Sequence, residues 1–252
     1  MRIVITNDDG IEAKGIKELT KALASFGEIY VVAPWNPQSA GSHATTLHKP
    51  LRAEEFPLNV GEKKSFRVSG TPADCVLLAV DILVKGQIDL IVSGINQGPN
   101  LGDDVLYSGT VAGAREGALN GITSIAYSVN GFDNPHYDTA AAFAKIFTKK
   151  VIDKHVIGEI YFNVNVPDLP INEIKGIKFV KQGRRRYIDR VMIGKDPFGK
   201  VYYWIGGKPV QNGDMDTDTG VVSRGYISIT PMKIDMTDYE FLERIKNWEI
   251  KF

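Results

Sequence analysis

Cysteine is nearly absent: Cys75 is the only one in 252 residues. One thiol excludes an internal disulfide and a thiolate cage for zinc, and it accords with a reducing compartment. Net charge is also missing, with 30 Lys and Arg against 30 Asp and Glu. No global field therefore draws the chain to a nucleic-acid polymer or a membrane surface. No apolar run reaches membrane-spanning length, and no basic, apolar leader precedes the strand-like Arg2 to Thr6, so a cytoplasmic protein is expected. Three nucleotide and hydrolase signatures are absent too: no phosphate loop ending in Gly-Lys-Ser/Thr, no Gly-x-Gly-x-x-Gly after the first strand, and no Gly-x-Ser-x-Gly elbow. His43, His48, His136 and His155 show no helical pair spacing with a carboxylate companion, which removes the zinc hydrolase pattern. Of these four, His43 is the one worth testing, because it lies within a candidate site loop.

What remains is an alternation of short β-branched runs with helical patterns. Strands are read at 2–6, 29–33, 65–69, 89–93, 123–129 and 160–166. Between them fall helices carrying Ile16, Leu19, Leu23 and Phe26, then 72–83, 110–119 and about 137–150. Apolar strands alternating with helices predict an α/β protein, a Rossmann-like parallel sheet covered on both faces. After Pro167 the pieces 177–182, 191–194, 200–206 and 221–232 are joined by Gly, Pro and Asp turns and read as hairpins, and a last helix is read over about 237–246. The boundaries expected are a catalytic domain at 1–170 and a β-hairpin extension with a closing helix at 171–252.

Ligands of an open parallel sheet bind beyond the carboxyl ends of its strands, so the loops after 6, 33, 69, 93 and 129 matter most. The first is Asn7-Asp8-Asp9-Gly10, a good turn sequence whose adjacent carboxylates repel each other unless a cation or proton compensates. The second, Pro34 to His48, holds Ser39, Ala40 and Gly41 and reads either as a solvated connection or as a functional loop. The loop after residue 93 is dense in Gly and amides, with Asn96, Gly98, Asn100 and Gly102, and leads through Tyr107 and Ser108 into a helix. The free amides at Gly109 and Thr110 are suited to an anion, phosphate being the obvious one. Gly113 and Gly117, on the same stripe, are assigned to close packing. Asp8, Asp9, a hydroxyl such as Ser39 and an amide oxygen such as Asn96 make an all-oxygen set suited to Mg²⁺, Mn²⁺ or Ca²⁺.

Six blocks in order carry a resemblance over nearly the whole chain: NDDG at 7–10, APWNPQSAGS at 33–42, SGTPADCV at 69–76, SGINQGPNLGDDVLYSGTVAGAREG at 93–117, NVNVP at 163–167 and TDTGVVSRGYISITP at 217–231. The chain resembles the stationary-phase survival protein SurE family of metal-dependent nucleoside monophosphate phosphatases. The resemblance implies Asp8, Asp9, Ser39 and Asn96 as metal ligands, with Asp8, Asp9 and Asn96 catalytic. It places Asn7, Gly41, Ser108, Gly109 and Thr110 at the substrate phosphate. One divalent cation per subunit is implied, Mg²⁺ or Mn²⁺, with Ca²⁺ able to occupy the site. The pattern departs at Ala40, where the family commonly carries Gly, which bears on that loop's conformation.

The activity implied is hydrolysis of nucleoside 5′- or 3′-monophosphates to nucleoside and phosphate, with short polyphosphate a further substrate class. The C-terminal β extension is implied to exchange between subunits of a homodimer or homotetramer, and the apolar run Tyr202 to Ile205 independently needs a covering surface. Two other readings stay open. A haloacid-dehalogenase-like phosphatase would form an aspartyl-phosphate and use the late acidic loop at Gly213, Asp214 and Asp218. A non-catalytic nucleic-acid or polyphosphate binding protein would use Arg184, Arg185 and Arg186.

Overall fold

The computed structural model describes residues 1–210 and 213–250; positions 211–212 and 251–252 of the expected extension lie outside the described residues. The chain runs β1 (Arg2–Thr6), α1 (Lys14–Leu23), β2 (Glu28–Pro34), β3 (Ala53–Glu55), β4 (Lys64–Val68), α2 (Pro72–Leu78), β5 (Leu90–Gln97), α3 (Gly109–Leu119), β6 (Ser124–Asn130), α4 (Tyr137–Asp153) and β7 (Tyr161–Pro167). It continues through β8 (Ile177–Phe179), β9 (Arg186–Ile188), β10 (Val191–Lys195), β11 (Val201–Ile205), β12 (Lys208–Val210), α5 (Asp218–Val222), β13 (Ile227–Met232) and α6 (Tyr239–Ile245).

Nine strands form one sheet in the order β3-β4-β2-β1-β5-β6-β7-β13-β8. It is parallel except where β3 meets β4 and β13 meets β7. From β1 the chain first builds outward through β2 and β4, then returns to place β5 on the other side of β1. That reversal opens a crevice beyond the ends of β1 and β5, where sheets of this kind bind ligands.

Helices cover both faces. α1 packs with α4 on one side and α2 with α3 on the other. The α1 stripe Ile16, Leu19 and Leu23 is fully buried against Ile3, Ile5, Val31 and Val92. Truncating a buried leucine such as Leu19 to alanine costs about 2–5 kcal/mol. Tyr127 is the largest fully buried side chain, and its hydroxyl lies 2.9 Å from Thr148 Oγ1, so its one polar atom is satisfied. On the other face, α2 starts on a reciprocal cap: Thr71 Oγ1 accepts from the Asp74 amide, and the Asp74 carboxylate accepts from the Thr71 amide. The same carboxylate accepts from Thr46 N and Thr46 Oγ1 at 2.9 and 2.6 Å, pinning the far end of the loop after β2.

Three expected elements differ. The strand read at 221–232 begins only at Ile227, because Thr217 caps the short helix α5 and Asp218 accepts from surrounding amides. That local side-chain chemistry outcompetes the β preference of Val221 and Val222. The strand read at 89–93 instead runs on to Gln97, with its pairing to β6 shifted between Ser93 and Asn96. The helix read over 72–83 relaxes after Leu78 into a wider turn at Ala79–Leu83. β8 and β13 join the main sheet, whereas β10–β11 and β9–β12 stand as separate two-stranded ribbons.

Candidate metal and phosphate site

A cleft of about 360 Å³ opens beyond the carboxyl ends of β1, β2, β5 and β6. The loop after β1 brings Asp8 and Asp9 to it, the loop after β2 brings Ser39 and Ala40, and the end of β5 brings Asn96 and Gln97. A larger cleft of about 690 Å³ lies at the opposite, amino ends of the strands. Among the described residues Asp89 and His155 are the only titratable side chains on its walls, and Asp89 accepts from the Arg2 amide. It lacks the converging polar groups of the smaller one.

Turn chemistry sets the acidic pair. Asn7 is fully buried and donates from Nδ2 to the Gly10 carbonyl at 2.8 Å, closing the turn, while Gly10 takes φ +96°, a conformation natural to glycine. Asp8 then points at the start of α3. Its carboxylate accepts from Thr110 N at 3.0 Å and from the Thr110 hydroxyl. A Cβ on Gly109 would stand 2.8 Å from Asp8 Cβ, so only glycine lets the helix approach so closely. Ser108 caps the same helix, accepting from Val111 N at 3.0 Å, and lines the cleft. Asp9 accepts from Gln97 N at 3.0 Å.

Burial pushes the Asp8 carboxyl above its ordinary range against the pull of the Thr110 and Gly109 donors. Asp9 is raised to about 6, first by burial and then by repulsion from Asp8. Two adjacent carboxylates held in this way call for a cation. The neutral donors fit one. Asn96 spends its Nδ2 on the Gly98 carbonyl at 2.8 Å, leaving Oδ1 as the amide atom open for coordination, and Ser39 supplies a hydroxyl to the same cleft. No group of three or more His, Cys, Asp or Glu gathers among the described residues. Two carboxylates with neutral oxygens suit a hard divalent ion rather than zinc.

The raised Asp9 carboxyl has a consequence for stability. A folded pKa near 6 against an ordinary 3.8 means that the native state holds the extra proton between those values. Folding stability from this group therefore falls as pH rises from about 4 to 6, by about 3 kcal/mol at most, and stays low above that. Relative to Asp9→Asn, the melting temperature of metal-free protein should decline across that window and recover when metal is added. Parallel melting curves for the two proteins would remove the assignment.

Among the residues expected at the phosphate, only Ser108 lines the cleft. Thr110 and the first amides of α3 face Asp8, Asn7 shapes the turn behind it, and Gly41 lies back in its loop, its amide bonded to Gln38 O at 3.1 Å. Ala40, the departure from the family pattern, takes φ +55°, a left-handed conformation that costs about 1 kcal/mol over glycine. The loop is held regardless, since Gln38 N donates to Asp8 O at 2.7 Å and Ser42 donates from N to Tyr107 O and from Oγ to Leu106 O. His43 turns away from the cleft to Glu116 at 2.6 Å. Gly113 and Gly117 are packing glycines, their Cβ positions 2.8 Å from Thr6 Cγ2 and 2.2 Å from Ser124 Oγ.

Several cleft residues were not expected in this site from the sequence. Arg185, named there only for polymer binding, reaches the cleft with its side chain 12% exposed and Nη1 3.1 Å from Asp104 Oδ2. Tyr187 donates to the same carboxylate at 2.6 Å. The exposed rings of Tyr107 and Phe132 stand among the lining residues. An arginine run reads as a charged face because sequence does not show that Asp103 and Asp104 come to meet it. Arg184 pairs with Asp103 at 3.0 Å, so two of the three arginines are matched by carboxylates. Asp218 is likewise spent, accepting from Gly102 N and Gly183 N at 2.9 and 2.8 Å and lying outside the cleft, which removes the late acidic loop of the dehalogenase reading.

The model of the family described as "Survival protein SurE" matches residues 3–189. This chain belongs to the SurE family. A "5'-nucleotidase SurE" of Moorella thermoacetica is 45% identical over 247 residues, covering 97% of this chain and 95% of the relative. One of Geotalea uraniireducens, with the same description, is 44% identical over 252 residues and covers 99% and 100%. The crystal structure of the SurE protein from Aquifex aeolicus superposes with a TM-score of 0.85 at 40% identity, covering 98% of both chains. The SurE fold thus extends through the C-terminal strands of this chain.

Proposed function

We propose that the chain is a divalent-metal-dependent phosphatase that hydrolyses nucleoside 5′-monophosphates, and in the same cleft 3′-monophosphates and short polyphosphate. The observation that carries this is the Asp8–Asp9 pair, Asp8 buried and Asp9 half-buried, sharing a cleft with Asn96 and Ser39 at the sheet's reversal point, in a chain matched over nearly its whole length by relatives named 5′-nucleotidase. Asp8, Asp9, Ser39 and Asn96 would hold Mg²⁺ or Mn²⁺. A bound ion of that kind supplies a water of lowered pKa and a counter-charge for the phosphoryl oxygens. Arg185 provides the fixed positive charge of the cleft, suited to the substrate phosphate, and Tyr107 and Phe132 offer aromatic faces to a base.

A phosphate-release panel tests this reading: 5′- and 3′-nucleotides, sugar phosphates and short polyphosphate, each with chelator and with Mg²⁺, Mn²⁺, Ca²⁺ or Zn²⁺. Metal-dependent release from 5′-nucleotides above the chelator background is expected. Release that survives chelation, or a trapped aspartyl-phosphate, would refute the mechanism.

The assembly reading concerns 171–252 as an oligomerisation arm beside a catalytic domain at 1–170. Ribbon β10–β11 exposes Tyr203, Trp204 and Ile205 at 66, 65 and 89%, and α6 buries none of its residues. Apolar area of that kind is stabilised by covering it with a second copy. Deleting residues 195–206 and closing the gap with a short turn should give a smaller oligomer by sedimentation velocity. An unchanged coefficient, after allowing for the lost mass, would place the interface elsewhere. No helix of the described residues is long and apolar enough to cross a membrane, and the single buried free thiol accords with a cytoplasmic setting.

A further inference from the structure

A third pocket, of about 300 Å³, lies between α3 and β13, outside the cleft that holds Asp8 and Asp9. Its lining carries Arg115, Tyr161, Lys181, Thr230 and Lys233 and not one carboxylate. The catalytic cleft, by contrast, sets Asp8, Asp9 and Asp104 against Arg185 alone. Register explains the polar wall: Thr230 pairs with Asn163 and Ser228 with Asn165 across β13 and β7, so a row of polar side chains faces one side of the sheet.

The amides of that row bond the backbone of Asn100, through Asn163 Nδ2 and both polar atoms of Asn165, but the rest is unsatisfied. Thr230 Oγ1, Ser228 Oγ, Asn163 Oδ1 and Arg115 Nε are all buried without a hydrogen-bond partner. Arg115 forms no ion pair among the described residues. Its nearest acidic neighbour on α3, Glu116, is occupied by His43 and Asn120. Asp216 is taken by Lys181, and Asp235, near Lys233, by Thr237 and Tyr239. Thr230 is 3% exposed and Tyr161 2%. Of the unpartnered atoms Asn163 Oδ1 is an acceptor set back from the cavity, while Arg115 and Thr230 line it; two buried donors without partners beside a cavity are costly and call for a missing group.

We propose that this pocket binds a phosphate-type oxyanion, with the Arg115 guanidinium and the Thr230 hydroxyl as its principal donors and Lys233 at the rim. The chemistry follows from the donor set, since guanidinium and hydroxyl groups with no acid among the lining match a tetrahedral anion. The size agrees: at about 30 Å³ per water, the volume takes five heavy atoms together with their first waters. Val105 and Leu106 form part of the wall. They directly precede Tyr107 and Ser108, so an anion here sits behind the loop and helix that position Asp8.

Calorimetric titration of inorganic phosphate into chelator-treated full-length protein tests the site, because without metal the Asp8–Asp9 cleft repels anions. One phosphate per chain is expected, weakened at least about tenfold by Arg115→Gln and a few-fold by Lys233→Gln. Should Arg115→Gln fail to fold, phosphate protection of Arg115 from phenylglyoxal in the wild-type protein, read by peptide mass, supplies the same answer. Adenosine monophosphate in a parallel titration distinguishes the sources: competition with phosphate assigns the pocket to a nucleotide's phosphate group, and no competition assigns it to the free anion. Absence of saturable binding in the chelated protein, or binding that ignores Arg115→Gln while Arg115 stays unprotected, overturns the proposal.

Discussion

Asp8→Asn is expected to lose turnover by about 10³-fold while the chain still folds. Asp8 is 5% exposed, and its two oxygens meet the Thr110 donors; an asparagine keeps the shape of the site, its Oδ1 accepting from the Thr110 amide and its Nδ2 donating to the Thr110 hydroxyl, and removes the charge. Loss of anionic charge weakens metal affinity and removes the counter-charge on which the reaction depends. Asp9→Asn should behave alike in turnover. The apo proteins separate function from fold: relief of repulsion and burial cost raises, or at least does not lower, their melting temperatures above pH 6, where the wild-type carboxyls are strained. Steady-state release of phosphate from a 5′-nucleotide at saturating Mn²⁺ is the measurement. Turnover within tenfold of wild type in either variant would reject the acidic pair as the reaction centre.

Thr110→Val should reduce apparent metal affinity by about 10–100-fold and leave most of the turnover at saturating metal. The hydroxyl of Thr110 donates to Asp8 Oδ1 while its amide donates to Oδ2 at 3.0 Å. Valine keeps the amide, the β-branch and the helix start but abandons one oxygen of a buried carboxylate, which is then free to rotate. Metal-activation curves read this directly, and Thr110→Ser should restore them. If Thr110 instead served the substrate phosphate, inhibition by inorganic phosphate would weaken and the activation curve would not move. That outcome would return Thr110 to the role expected of it as a phosphate donor.

The placement of Thr110 also shows where sequence reasoning stops. Apolar period and turn residues predicted the order of the six parallel strands and of the α1–α4 helices, with the end of β5 and the end of α2 displaced by four and five residues, because each is decided locally, by which faces of a strand or helix are apolar. The helix start at Ser108 and Gly109 was equally legible. Its target was not: free amides at a helix end attract any anion, and here the nearest is the protein's own Asp8, set across the junction by the close approach that Gly109 allows.

Adjacent carboxylates at residues 8 and 9, with Ser39 and Asn96 in neighbouring loops, were determined by sequence alone as a candidate oxygen site. That they share one cleft was decided by the sheet order, which sets β1 beside β5. Arg185 makes the same point from the other direction. Three arginines in a row look like a solvated face until the fold brings Asp103 and Asp104, some eighty residues earlier, up against them. The strand expected at 221–222 became a helical turn for a related reason: Asp218 accepts amides from residues 102 and 183, and those contacts exist only once the chain has closed on itself. Local preference names the elements and the chemically able residues; burial and long-range pairing, which no short window contains, determine which of them meet and what each is left free to bind.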